Sequence, residues 1–509
     1  MKIGQIYGKT IHPIARFLFR PRIKTDITYQ ETLLKKFIKQ NKKTARGEKY
    51  NFKNIHSISD FQKNVPLVTY DMIQGYVEQM LQWAKNILRA WKIPYFSKSS
   101  GTTAMSKYIP ITAQALKKNH YATGKDVFWF YLEHRTESML FTGEWLIMGG
   151  RLVPNPFDAS ANNVWDVSAI LQYNAPRYTK LFRKPSTPVS FMEQFDKKID
   201  AMIEETKDRN ITFVAGVPSR LTLFLQRLVA KTGKKNVLEI WPHLELFLRW
   251  GINIAPYKEQ LASLLPWDQV WYWQNYNASE WFFAFQEKPN TNDMLLATQH
   301  NVFYEFVPLA NIHDKWPETL LLSDLIVWEQ YELIITTDGG LRRYRIGDVI
   351  QITQTHPLKI RLMGRTKSFL NAFGEELMEH TTDNAIQAAC AHYNLPLADY
   401  VATAIIKEPW WYHQWYIDFG KDITFDNDAF CAFIDQTIQN NNSDYKAKRT
   451  DDLLLHRLRV TIVKPWSFHR YLESHGKLWG QHKIKRLWNE PLELEKAMWD
   501  FLHETTNEL

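Results

Sequence analysis

The sequence holds 509 residues, 45% of them apolar and 23% charged, so it can bury large cores and falls outside the disordered classes. Lysine and arginine outnumber the acidic residues 63 to 54, a formal charge of +9. The two signs are interleaved, which favours a solvated basic surface over a nucleic-acid patch. Glycine is held to 20 residues against 20 tryptophans, so a glycine inside a motif is informative.

Length predicts two to four domains at roughly 100–200 residues each. Cys390 and Cys431 are the whole cysteine complement, which excludes a disulfide framework and a paired zinc motif. No apolar run approaches the ~18 residues of a membrane span; 127–132 is short, and 139–157 is interrupted by Glu144 and Arg151. The first residues carry Lys2, Arg16, Arg20 and Arg22 without a continuous apolar stretch, so a helix packed on the body is expected rather than a signal peptide, the alternative being a short amphipathic segment resting on a membrane. The expected compartment is the cytoplasm.

A capping box, Thr28-x-x-Glu31, opens a helix that runs toward Gly47. Lys35, Lys36, Lys39, Lys42 and Lys43 read as its wet face, beside Leu33, Leu34, Phe37 and Ile38. Residues 60–91 look helical with a break at Pro66, and 93–96 turn strand-like before a loop of small polar residues. Between 191 and 233, helical patterns alternate with the apolar strand 211–215, the mark of an α/β region. From Leu295 short strands take over: 332–337, the turn Asp338-Gly339-Gly340 and 341–346 form a hairpin, extended by 349–353 and 359–363 as a meander. After Gly364 come a helix near 375–393, a strand near 400–406, the aromatic run 410–419, a helix 427–440 and a strand 457–463. The fold class expected is α/β: a large N-terminal α/β domain with β-sheets and a β-rich subdomain, then a small C-terminal α+β domain. The domains are placed at 1–365 and 366–509, with a hinge at about 364–370.

Five stretches carry chemistry. Ser99-Ser100-Gly101-Thr102-Thr103-Ala104-Met105-Ser106-Lys107 follows a strand with five hydroxyls, a glycine and a lysine in reach of one polyphosphate. The spacing is not that of a Walker loop, and an ordinary polar loop is the alternative. Tyr276-Asn277-Ala278-Ser279-Glu280 puts a carboxylate at a strand end, where it can hold Mg²⁺ or do nothing. Tyr344-Arg345-Ile346-Gly347-Asp348 offers a carboxylate on a Gly-Asp turn to a ribose diol, or is a plain β-turn. Gly364-Arg365-Thr366-Lys367 and 476–486 each place basic residues on glycine-flanked loops, where they meet developing negative charge or solvent.

In this order the motifs resemble the acyl-adenylate-forming superfamily, and within it the bacterial branch of the auxin-responsive-promoter family, whose plant members are acyl acid amido synthetases. The stretches FSKSSGTTAMSKYIPIT, VAGVPSRL, VWYWQNYNASEWFFAFQ, LRRYRIGDVIQIT, LMGRTKSFLNAFGEELME and GKLWGQHKIKRL carry the likeness, which runs from about residue 28 to 488. The resemblance implies a nucleotide- and acyl-acid-binding N-terminal domain and a mobile C-terminal one. It implies ATP-dependent activation of a carboxylic acid as acyl-AMP and transfer to an amine, an amino acid, as an amide. ATP and Mg²⁺ would be the cofactors, a small carboxylic acid and an amino acid the partners, without nucleic acid and as a monomer. Ser99, Ser100, Gly101, Thr102, Thr103 and Lys107 would hold phosphates, Thr103 and Glu280 would meet Mg²⁺, and Tyr276 and Ser279 would border the nucleotide. Asp348 and Arg365 would bind ribose, Lys367 would be the hinge residue, and Lys483 would stabilise the adenylation transition state.

Departures from the pattern are Ala104, Trp281 and Trp479 in place of glycines, and Arg249-Trp250 in place of histidine-glycine. The indoles are expected to occupy space near the site. The competing functions are a ligase with a thiol acceptor, coenzyme A or a carrier protein, and a non-catalytic nucleotide- or ligand-binding paralogue. The aromatic runs 127–132 and 271–273 are expected to be core, the alternative being walls of a planar acid's pocket.

Overall fold

The computed structural model describes residues 14, 17, 27–99, 107–150, 152–153, 155–158, 161, 163–192, 195–250, 258–266, 268–312, 314–366, 369–370, 377–407, 410–449, 455–475, 484–489 and 491–503. The chain forms two compact units, residues 1–251 with 264–362 and residues 252–263 with 363–509.

In the first unit the helix Ile27–Gln40 buries Leu33, Leu34, Phe37 and Ile38. Thr28 lies inside its first turn and not at its cap, and the helix stops short of Gly47. Asn41 Nδ2 caps the Phe37 carbonyl at 2.7 Å, and Thr44 then starts a new helix, Ala45–Lys49, by accepting from Gly47 N. Two local hydrogen bonds therefore outweigh the continuous pattern. A reciprocal capping box at Ser57 and Asp60 opens Ile58–Asn64, and a second helix, Tyr70–Leu81, follows Pro66; Trp91 is in neither.

A four-stranded sheet is ordered β2-β1-β5-β4, from β1 (Tyr95–Ser99), β2 (Lys107–Ile111), β4 (Leu152–Val153) and β5 (Val164–Trp165). The large sheet has eleven strands. One side of it is parallel: β3 (Glu144–Ile147), β6 (Arg183–Lys184), β7 (Ile211–Gly216), β8 (Leu246–Trp250) and β9 (Trp271–Asn277), ordered β6-β3-β7-β8-β9. The helices Phe195–Thr206 and Pro218–Thr232 flank β7 in sequence, and Gly233 ends the second at φ +67°, the left-handed geometry glycine tolerates. From β9 the sheet turns antiparallel through β10 (Phe282–Gln286) and β11 (Met294–Leu296), which pairs with β15 (Leu358–Arg365). The order closes with β14 (Tyr344–Thr355), β13 (Gln330–Thr337) and β12 (Val302–Pro308). Residues 349–353 are thus the continuation of one long strand and not a strand of their own.

The aromatic runs enter a core cluster through Val127, Tyr131, Leu132 and Trp273, and their other residues are half-buried. Tyr131, on the helix Tyr121–His134, and Trp273 on β9 are both fully buried, with ring centroids 5.7 Å apart. Phe213, Phe285 and Leu295 complete that cluster, while Phe128, Phe130 and Trp271 pack half-buried at its margin.

The second unit is α+β. Its sheet is ordered β20-β19-β18-β21, from β18 (Asp399–Lys407), β19 (Trp410–Asp418), β20 (His456–Ile462) and β21 (Leu487–Trp488), beside a two-stranded pair, β16 (Phe369–Leu370) and β17 (Leu377–Met378). The helices Glu379–His392 and Asn427–Asn441 send Ile386, Ala389, Phe430 and Ile434 into the core around Tyr400 and Trp415, whose rings stack at 5.2 Å. Arg486 is clamped there by Asp383 at 2.7 Å and Asp399 at 3.1 Å.

Candidate active site

The Ser99–Lys107 motif is carried on an antiparallel stem, since Ser99 and Lys107 are paired residues of β1 and β2. Ser100, Gly101, Thr102 and Thr103 lie outside the described residues. Lys107 is half-buried, its Nζ 5.9 Å from the centre of the Tyr70 ring. Tyr70 Oη accepts from Tyr108 N at 2.8 Å, and burial raises the phenol to about 12, so it stays protonated. The far end of β2 is tied to the β13–β14 turn. Thr112 donates to Asp338 at 2.6 Å, Arg89 sits 3.3 Å from the same carboxylate, and a Cβ on Gly339 would lie 2.4 Å from the Pro110 carbonyl. The Asp-Gly-Gly turn is required by this close approach as well as by the hairpin itself.

Tyr276 and Asp348 meet: the phenol donates to Asp348 Oδ2 at 2.5 Å, with both residues buried. The bond joins the end of β9 to the middle of β14. Asp348 is presented by a β-bulge where a tight turn was expected. Glu332 pairs with Val349 and Ile334 with Arg345, so Ile346, Gly347 and Asp348 face Leu333 alone, with Gly347 at φ +81°. Arg345 holds the bulge by donating to Glu332 Oε2 from Nε at 2.9 Å and to the Ile312 carbonyl at 2.8 Å.

After Tyr276 the chain turns at Ala278, whose N–H reaches the Trp281 carbonyl at 3.0 Å; Ser279 and Glu280, within that turn, are buried. Trp281 is part of the core. It is fully buried, donates to the His300 carbonyl at 3.1 Å and lies against His120, ring centroids 6.1 Å apart. Asn119 bonds both the N–H and the carbonyl of Phe282, at 2.9 Å each. Asn119 and His120 belong to a π-turn, Leu116–His120, which sequence reasoning missed; the buried polar pair Asn-His inside a helical pattern was the available signal. Burial pushes His120 down to about 3, so it is neutral. His300 Nε2 and Asp126 Oδ2 are 2.7 Å apart, a second pair the motifs did not announce.

The carboxyl ends of β3, β7, β8 and β9 gather on one edge: Ile147 pairs with Ala215, Gly216 with Arg249 and Trp250 with Asn275. In open α/β sheets that edge is where ligands bind. Trp250, half-buried, packs on the aromatic cluster. Arg365, exposed at the end of β15, belongs to the second unit with Gly364 at φ +149°; Lys367, Trp479 and Lys483 lie outside the described residues. So the structure joins Tyr276 to Asp348, sets Ser279 and Glu280 in the next turn, and opposes Lys107 to Ser99.

The fold is similar to that of an acyl acid amido synthetase, GH3.15, with a TM-score of 0.75 at 17% identity over 94% of each chain. It is also similar to 2-hydroxyisobutyryl-CoA ligase in its postadenylation state, with a TM-score of 0.59 at 11% identity over 96% of this chain and 94% of that one. Models of the GH3 family match in three blocks: the N-terminal domain at residues 23–270, the central domain at 295–365 and the C-terminal domain at 380–492. The chain belongs to the GH3 family. It is 26% identical to the indole-3-acetic acid-amido synthetase GH3.3 of Arabidopsis thaliana, over 49% of this chain and 44% of that one. With the probable indole-3-acetic acid-amido synthetase GH3.1 of Arabidopsis thaliana the identity is 20%, over 91% of this chain and 89% of that one. Several matches to curated relatives thus span about half of the relative's length or less. Among the described residues no helix is long and apolar enough to cross a membrane.

Proposed function

We propose that the chain activates a carboxylic acid with ATP as an acyl adenylate and passes the acyl group to an amine, an amino acid, as an amide. The observation that carries this reading is the Tyr276–Asp348 hydrogen bond, which joins two motifs 72 residues apart beside the ligand edge of the sheet. In it, Ser99, Ser100, Gly101, Thr102, Thr103 and Lys107 hold phosphates, Tyr276 sits near the adenine, Ser279 borders the nucleotide, and Asp348 and Arg365 take the ribose hydroxyls. Residues 1–365 supply the binding domain and 366–509 a mobile domain hinged near Lys367, which brings up Lys483.

The residues fit a magnesium ion that arrives with the nucleotide. Glu280 offers one nearly buried carboxylate, Thr103 a hydroxyl, and the described residues hold no group of three or more His, Cys, Asp or Glu that would form a closed metal cage. Mg²⁺ suits such a sparse set, because it takes most of its ligands from phosphates and water. When bound it neutralises phosphate charge.

An oxygen of the substrate carboxylate attacks the α-phosphorus, and the bond to the bridging oxygen breaks with its electron pair leaving as pyrophosphate. Lys107 and Lys483 offset the charge that gathers on the phosphoryl oxygens. The amine then attacks the acyl carbon and loses a proton, and AMP leaves with the electron pair of the broken C–O bond. No protein nucleophile is needed; holding the partners in line supplies the acceleration.

The two cysteines, both buried and not joined in a disulfide, fit a reducing cytoplasmic setting, and the proposed working state is a monomer. The test is pyrophosphate release from Mg-ATP with pooled carboxylic acids, with and without pooled amino acids, and with coenzyme A as the rival acceptor. Acid-dependent release that needs amino acids to continue, and that Lys107→Ala abolishes, is expected. Release unchanged in Lys107→Ala and Asp348→Ala, or product with coenzyme A alone, overturns the reading.

A further inference from the structure

Among the described residues, Arg249 has no counter-charge. It sits on β8 one residue from the ligand edge, is nearly buried, and its hydrogen-bond partner among the described residues is the neutral amide of Gln274, 2.8 Å from Nη2. Its register neighbours are Gly216 on β7, which has no side chain, and Gln274 on β9. Phe247, Tyr272 and Tyr276 share its face of the sheet by strand alternation, and none of them carries a charge at neutral pH. Burial alone lowers the guanidinium, to about 10, with no carboxylate among the described residues acting on it, so it stays protonated at neutral pH. A buried unpaired cation is costly to the folded chain, and the cost is removed when an anion arrives. Within the same unit Arg343, equally buried, is paired with Glu305 at 3.1 Å, and Arg46 and Arg342, which lack an ion pair among the described residues, donate to backbone carbonyls, whereas Arg249 has a side-chain amide beside the ligand edge.

Resting on the reaction proposed above, we infer that Arg249 is a substrate-binding residue for a carboxylate that survives the reaction, either a second carboxylate on the acyl acid or the α-carboxylate of the amino-acid acceptor. The reacting carboxylate is a poor match, because it loses its charge on becoming the mixed anhydride, and an arginine bound to it would hold the ground state back. Phosphate is a poor match because its proposed cradle is the β1–β2 loop. A fork of guanidinium donors with an amide alongside suits a planar carboxylate.

The test uses thermal unfolding of the full chain, wild type and Arg249→Met and Arg249→Lys, with four small probes and inorganic phosphate. One arm compares benzoate with isophthalate, the other alanine with alaninamide. The wild type is expected to gain melting temperature with isophthalate more than with benzoate, or with alanine more than with alaninamide, and the arm that responds identifies the source. Arg249→Met, freed of the buried charge, is expected to melt roughly 2–6 °C higher without ligand and to bind the responding probe at least about tenfold more weakly. Arg249→Lys keeps the charge but not the fork, and is expected to retain part of the response. A variant Arg249→Met that melts lower or fails to fold shows that the charge is structurally paired and overturns the inference. So does a response that is equal for both members of each probe pair, absent for all four, confined to phosphate, or unchanged in Arg249→Met. Pyrophosphate release by the same wild-type sample reports the reaction separately, so a probe response without turnover retires the proposed reaction and leaves the Arg249 site standing.

Discussion

Replacing Tyr276 by phenylalanine deletes one hydroxyl and keeps the ring, which packs on Phe283 at a centroid distance of 4.9 Å. What is lost is the 2.5 Å bond to Asp348, between residues 5% and 3% exposed. A hydrogen bond to an ionised group contributes about 1.5–3 kcal/mol, against roughly 0.5–1.5 for a neutral pair. Tyr276→Phe is therefore expected to destabilise the first unit by about 1.5–3 kcal/mol, and by the smaller neutral figure when Asp348 is already asparagine. The difference, a coupling of about 1–2 kcal/mol in a cycle of Tyr276→Phe and Asp348→Asn, is read from urea unfolding midpoints at constant m-value. Because the pair is buried, the coupling should hold between low and moderate salt. If Tyr276 also sets the direction in which Asp348 presents its other oxygen, the Mg-ATP dissociation constant measured by calorimetry rises roughly five- to tenfold in Tyr276→Phe. A coupling under about 0.5 kcal/mol, the range in which independent sites add, would refute the claim that the two motifs work as one unit.

Glu305→Gln leaves Arg343 buried against a neutral partner; the unfolding free energy of the first unit should fall by about 3–5 kcal/mol in urea titrations. Gly47→Ala would place a Cβ 2.0 Å from the Asn41 backbone carbonyl, which cannot swing away, so calorimetry should show a loss of about 1–3 kcal/mol. Burial lowers the Lys198 amine from 10.5 to about 8, in a fold where it donates to the Gly149 and Ser190 carbonyls at 3.1 and 2.6 Å. Between those two values the unfolded chain binds the extra proton, so the Lys198 contribution to stability rises with pH across that window, by at most about 1.4 kcal/mol per pH unit. The difference between wild type and Lys198→Met in urea midpoints should grow with pH there; a flat difference refutes the assignment.

The sequence reached the fold where short-range signals decide. The Asp-Gly-Gly turn joins two strands that the alternation already marks, whereas the capping box at Ser57 and Asp60 and the helix end at Gly233 are equally local signals that sequence reasoning missed. The same kind of signal failed at Thr28, because the side chains of Asn41 and Thr44 break a pattern that periodicity reads as continuous. It failed again at Gly347-Asp348, where glycine's positive φ serves a bulge inside a strand as readily as a turn between two.

By itself, then, the sequence determined the α/β class and many of its helices and strands, which loop has the composition to hold a polyphosphate, and the motif order that marks the family. Only the tertiary structure decided which motifs touch. The Tyr276–Asp348 bond spans 72 residues, Asn119 fixes Phe282 across 163, and Trp281, read from sequence as an intruder, is taken into the core. Arg249 is the clearest case. The sequence marks this arginine only as a departure from the family pattern; its meaning depends on what stands beside it, and strand register placed a glycine and a glutamine there instead of a carboxylate. Propensity and capping act within a few residues of the chain, whereas pairing in an eleven-stranded sheet is settled by burial summed over the whole domain.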